Sequence, residues 1–124
     1  MKKVFIHGAL EPKGHYSPAV ISGGIVYVSG QIAVDPFNGE EKTSSITEQT
    51  NRCLENILLI LKEAGTSIDR IVKVTIFVSD QGMWHEVNEA YKAFMGDHKP
   101  ARAIIPVNNF RGNFAVEIEA IAEV

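Results

Sequence analysis

The chain has little that could staple it, anchor it or give it a charge of one sign. It carries a single cysteine, Cys53, so no internal disulfide can form, and no Cys or His stands at metal-ligand spacing from it. The four histidines, His7, His15, His85 and His98, are scattered, and no metal site is expected. Motifs of the HExxH, CxxC, GxxxxGK[ST] and GxSxG kinds are absent, which removes the usual signatures of zinc hydrolases, dithiol redox proteins, P-loop nucleotide enzymes and serine hydrolases. There is no long apolar run, so no membrane span is expected. The two lysines of Met1-Lys2-Lys3-Val4-Phe5-Ile6-His7 precede nothing that resembles the apolar core of a secretory leader, and the expected location is the cytoplasm. Twelve Lys and Arg against fifteen Asp and Glu give a net charge of −3 with no basic stripe. Nucleic-acid affinity depends on neutralising phosphates, so a nucleic-acid partner is not expected.

What is present suits one globular domain over residues 1–124, with 45% hydrophobic and 22% charged residues. Val20 to Val28 reads as a hairpin around Gly23-Gly24, because tight hairpin turns need positive φ. Turn formers from Asp35 to Gly39 open a polar loop that runs to Ser45. Ser45-Ile46-Thr47-Glu48 is a capping box, and Ile46, Gln49, Thr50, Cys53, Leu54, Ile57, Leu61 and Ala64 then follow at helical spacing until Gly65. Ile71 to Val78 alternates as a strand, with Val72, Val74, Ile76 and Val78 expected on the core face. Asp80 is placed to cap a second helix whose stripe is Met83, Trp84, Val87, Ala90, Tyr91 and Phe94, ending near Gly96. Two strands, Ala101 to Val107 and Phe114 to Ala122, complete the order hairpin, helix, strand, helix, strand, strand. That order predicts a two-layer α+β fold, with two helices on one face of a mixed sheet.

Few residues stand out for chemistry. Arg102 lies between Ala101 and Ala103 in an otherwise apolar strand, and a withdrawn arginine needs an anion. Two readings stay open on pattern alone: an internal ion pair with Glu117 or Glu119, the commoner use of such a residue, or a guanidinium fork for a ligand carboxylate. Glu117 and Glu119 project from one face of the last strand, roughly 7 Å apart by strand geometry. Partial burial there would raise the pKa of at least one of them toward neutrality, while an exposed polar sheet face is the plainer reading. Tyr16, in Gly14-His15-Tyr16-Ser17-Pro18, and Ser29-Gly30-Gln31 sit beside strand ends, where loops carry function.

Together these segments resemble the RidA (YjgF-like) family of enamine/imine deaminases over nearly the whole chain. The carriers are His15-Tyr16-Ser17-Pro18-Ala19-Val20, Val28-Ser29-Gly30-Gln31-Ile32, Asp35-Pro36 with Gly39-Glu40, Gln49-Thr50 and Ala64-Gly65. Further along they are Ile71 to Val78, Val87-Asn88-Glu89-Ala90-Tyr91, Pro100-Ala101-Arg102 and Val116 to Ala122. The resemblance implies a chorismate-mutase-like fold, a homotrimer with active sites in the clefts between subunits, and hydrolysis of 2-imino or enamino acids to keto acids and ammonia without a cofactor. It assigns Arg102 to the carboxylate of a small imino acid such as 2-aminoacrylate and Glu117 to the attacking water. The backbone around Gly30 and Ile104 would hold water and substrate, and Tyr16, Ser29 and Asn88 would line the pocket.

The sequence departs from the family pattern after Arg102. Ala103 replaces Ser or Thr, Ile104-Ile105-Pro106-Val107 replaces a Cys-Val-Glu-Val run, and Asn108-Asn109-Phe110-Arg111 replaces Ala-Arg-Leu-Pro. Arg111 is thereby a candidate second anion contact or a narrowing of the entrance. Two rival functions use the same residues: a keto-acid-binding regulator, and the ribonuclease or translation inhibitor suggested for some relatives, against which the acidic balance argues.

Overall fold

The computed structural model describes all residues, 1–124. Its elements are β1 (Lys2–Val4), β2 (Ala19–Ser22), β3 (Ile25–Gln31), α1 (Ile46–Glu63), β4 (Ile71–Val78), α2 (Trp84–Met95), β5 (Ala101–Pro106) and β6 (Val116–Glu123). They form one six-stranded sheet in the order β1-β2-β3-β6-β4-β5, with β5 parallel to β4 and every other pairing antiparallel. The sheet is therefore mixed, and both helices pack on one face of it.

Local chemistry explains most of these boundaries. Gly23 and Gly24 both have positive φ, 60° and 77°, which gives the turn between β2 and β3 the twist that a two-residue hairpin requires. Ser45 Oγ accepts from Glu48 N at 3.0 Å, and Glu48 reaches back to Ser44 N at 3.1 Å, so the start of α1 is capped from both sides. Leu54, Ile57, Ile60 and Leu61 of α1 then pack over Val26, Val74, Ile76 and Ile118 of the sheet in one core cluster. Two buried amides tie α1 to neighbouring chain. Gln49 donates to Asn113 O and accepts from Ala115 N, while Asn56 donates to the carbonyls of Ile32 and Val34. Gln49 holds the entrance of β6 and Asn56 the exit of β3 against the helix, and removing either would take a partner from these backbone groups.

Three expectations need correction. Lys2–Val4 forms a sixth strand, β1, paired with β2 from Lys2↔Ile21 to Val4↔Ala19; three residues with two lysines show no period to read. Val72 is not on the core face. Ile71 pairs with Ala122 and Lys73 with Ile121, so Val72 is the extra residue of a β-bulge, and alternation inverts there. Ile71 is buried while Val72 is 40% exposed. Asp80 caps a 3-10 turn, Gln81–Met83, by accepting from Gly82 N at 2.6 Å, and α2 begins after it at Trp84 without a side-chain cap.

The second face of the sheet has no helix over it. Val20, Tyr27, Lys73, Thr75, Phe77, Glu117, Glu119 and Ile121 project there, and Tyr27 is 48% exposed. No helix is long and apolar enough to cross a membrane.

Candidate functional site

Arg102 and Glu117 arise on different strands and on opposite faces. In the parallel register, Arg102 lies beside Val74 and Ile104 beside Ile76, which places both on the helix-covered face of the edge strand β5. Glu117 pairs with Phe77 on the uncovered face of β6. With β4 between these strands, the two backbones are roughly 10 Å apart at ordinary strand spacing.

The helix-covered group is built by α2. Trp84, Asn88 and Tyr91 recur at i, i+4 and i+7, which puts them on one side of that helix, facing Arg102. Arg102 Nη1 donates to Asn88 Oδ1 at 2.9 Å. The guanidinium carbon stands 4.8 Å from the centroid of the Tyr91 ring and 5.9 Å from that of Trp84, within cation–π range of both. No carboxylate oxygen of the chain lies within ion-pair distance of it, since the four ion pairs all involve other residues. The internal pair with Glu117 or Glu119 is therefore not made. The cation is seated by an amide oxygen and two rings, and the rest of its fork of N–H donors is left without a carboxylate.

The uncovered group centres on a bulge in β3. Val28 pairs with Ala120 and Gln31 with Ile118, so Ser29-Gly30 carries one residue more than the facing strand. Ser29 Oγ donates to Ser17 O at 2.7 Å, and Ser29 N to Pro18 O at 2.9 Å, tying the Tyr16 loop to the bulge. Tyr16 itself is 54% exposed. Gly30 faces the Glu117 carboxyl so closely that a Cβ there would stand 2.8 Å from Oε2. Desolvation raises the Glu117 pKa above the ordinary carboxylate value, and the neighbouring charge of Glu119 pushes it the same way. Nothing in the chain donates a hydrogen bond or an ion pair to that carboxylate.

The expected site residues thus fall into two half-sites: Arg102, Asn88 and Ile104 in one, and Ser29, Gly30 and Glu117, with the Tyr16 loop beside them, in the other. Tyr91 is buried as its place in the apolar stripe predicts, whereas Trp84 of the same stripe is 44% exposed and does not join the core. Their shared helix side with Asn88 was the signal that they also face Arg102. Arg111 is engaged within the chain: it lies 3.8 Å from Glu41 and stacks on Phe114 at 5.0 Å. Burial drives the Cys53 thiol far above its ordinary pKa, and it is no nucleophile. No group of three His, Cys, Asp or Glu side chains is placed to hold a metal ion. A surface depression of about 490 Å³ adjoins the start of α1 between Lys42 and Glu55, lined by no hydrophobic residue and containing neither half-site. An all-polar groove of that kind lacks the apolar walls of an ordinary ligand pocket, so the half-sites carry the functional argument.

Fold and half-sites together define a small two-layer α+β protein with an unpaired guanidinium at a sheet edge and an unpaired, destabilised carboxylate on an open sheet face. The chain belongs to the endoribonuclease L-PSP family, the family of YjgF and RidA, whose model matches residues 6–124. It is 41% identical to a RutC family protein of Pyrococcus abyssi, covering 96% of this chain and 94% of that protein. It is 37% identical to the human 2-iminobutanoate/2-iminopropanoate deaminase, covering 88% of this chain and 80% of the relative. The crystal structure of E. coli TdcF with bound serine superposes with a TM-score of 0.91 at 34% identity, covering 100% of this chain and 99% of that one.

Proposed function

We propose that this protein hydrolyses reactive 2-imino and enamino acids, 2-aminoacrylate among them, to 2-keto acids and ammonia. In this reading it works as a cytoplasmic homotrimer of chorismate-mutase-like fold, with each site in a cleft between subunits. The observation that carries the reading is the Arg102 guanidinium, held in place by Asn88 and two rings yet given no carboxylate by its own chain. A cation so seated suits a small acid from solution, since the fork matches a carboxylate through two parallel bonds. The human relative's name gives the reaction, and the serine bound to TdcF is a small molecule carrying a carboxylate.

The acid and the cation would meet across copies. Within one chain they sit on opposite faces with β4 between them, whereas the uncovered face bearing Glu117 also bears Tyr27, Phe77 and Ile121, apolar groups that a second copy would cover. Laying the β5 edge of one copy beside that face brings one subunit's Arg102 toward its neighbour's Glu117. The chemistry then needs only orientation and proton management. A protonated imine carbon is already electrophilic, and Glu117, its pKa raised toward neutrality, takes a proton from water as the oxygen adds to that carbon. Glu117 returns that proton to the nitrogen of the resulting carbinolamine, and ammonia leaves as the hydroxyl gives up its own proton to the freed carboxylate, leaving the 2-keto acid. Backbone groups near Gly30 and Ile104 hold water and substrate, with Tyr16, Ser29 and Asn88 along the walls.

The test is pyruvate formation from freshly generated 2-aminoacrylate. Wild type should accelerate it and Arg102→Ala should not. Equal turnover in the two would remove Arg102 from the mechanism, and pyruvate binding without acceleration would turn the reading into a keto-acid sensor.

A further inference from the structure

We infer that Tyr91 is a positioning residue whose ring face, and not its hydroxyl, fixes the Arg102 guanidinium in the orientation that receives a carboxylate. The inference rests on the reading of Arg102 given above and extends it to a residue that no comparison singles out.

Three features of the structure point the same way. Tyr91 is 6% exposed, so its ring is part of the core and its position is fixed by packing. Its hydroxyl is buried without any hydrogen-bond partner, an arrangement that costs stability and that a phenylalanine would avoid. Its ring centroid is nonetheless the aromatic surface nearest Arg102, at 4.8 Å against 5.9 Å for the half-exposed Trp84. The negative face of an aromatic quadrupole attracts a guanidinium, and the attraction grows when water is excluded, as it is on the Tyr91 side. Asn88 fixes one edge of the guanidinium through Nη1 and Tyr91 fixes its plane. With one edge and the plane set, the remaining edge can point in only one direction. A lysine or a freely rotating arginine would have to lose that freedom upon binding.

The test separates the shape of the ring from its electrostatics. Tyr91→Phe keeps both, while pentafluorophenylalanine at position 91 keeps the size and reverses the sign of the ring face. Calorimetry with pyruvate as the probe should find the Phe variant within about twofold of wild type, and the fluorinated protein weaker by about tenfold. Thermal midpoints should not fall in the Phe variant. Proton and nitrogen resonances of the Arg102 side chain supply a readout independent of any ligand. They should keep their upfield ring-current shift in wild type and Tyr91→Phe, and move toward unstructured values in the fluorinated protein. Unchanged affinity and unchanged Arg102 resonances with the fluorinated ring would overturn the inference, as would a Phe variant as weak as the fluorinated one. If wild type binds no pyruvate, the carboxylate reading of Arg102 fails, and the resonances alone decide whether Tyr91 orders the guanidinium.

Discussion

Arg102 and Glu117 are both ionisable groups drawn partly out of water, yet the chain treats them in opposite ways. Arg102 is given an amide acceptor and two aromatic faces, each of which stabilises its charge. Glu117 is given an empty glycine face, a like charge two residues away and no donor, all of which disfavour its charge. A strained acid is closer to giving and taking protons, which suits the second group to the reactive role and the first to the holding role in the proposed hydrolysis.

Breaking the holding side should have the largest effect. If the fork binds the substrate carboxylate as proposed, Arg102→Ala removes two charge-assisted bonds, so kcat/KM should fall roughly a thousandfold, and Arg102→Lys should recover little because lysine has no planar fork. Breaking the reactive side comes next. Glu117→Gln should cost roughly a hundredfold in kcat, the usual worth of a general base. The same variant should melt higher than wild type at neutral pH, because it removes a charge that the fold disfavours. The sign follows from the raised pKa. The folded carboxyl holds its proton to higher pH than the unfolded one, so wild-type stability falls as pH rises from 4.5 toward the folded value, and Glu117→Gln should flatten that decline. A melting series against pH in which the two proteins run parallel would show that the acid is not strained. Gly30→Ala is a milder break: its Cβ would push on Oε2 at 2.8 Å, and activity should drop about tenfold with the fold retained, since the acid is displaced and not deleted.

How much of this could be read in the sequence depends on whether the signal is local. The capping box at Ser45, the Gly23-Gly24 turn and the stripe of α1 depend on neighbours within a few residues, and each formed as expected. The inversion at Val72 could not be read, because a bulge is a property of the pairing of β4 with β6 and leaves the β4 pattern looking regular. The strand β1 is too short to carry a period and exists because β2 offers it an edge. For the half-sites, pattern marked Arg102 as a withdrawn charge and read the two glutamates more plainly as an exposed polar face, and the family resemblance supplied roles for Arg102 and Glu117. The choice between an internal pair and a free fork needed the sheet order, since only that order sends Arg102 to one face and Glu117 to the other.

The separation of the two half-sites can itself be tested without further structural work. If each working site combines Arg102 of one subunit with Glu117 of the next, an Arg102→Ala chain and a Glu117→Gln chain are complementary defects. Each homomer is inactive, but unfolding the two together in equal amounts and refolding them shuffles the subunits. A site is intact when its arginine comes from the Glu117→Gln chain and its glutamate from the Arg102→Ala chain, so about a quarter of wild-type activity should return in a closed ring of heterologous contacts. Sites built within one chain could never recover this way, because every chain in the mixture carries one lesion. A refolded mixture that stays as inactive as its parents, while sedimenting as mixed oligomers, would therefore place both residues' work inside a single subunit or remove one of them from the site. Recovery of the expected fraction would show that the uncovered sheet face is left bare of helices in order to meet a neighbour's arginine.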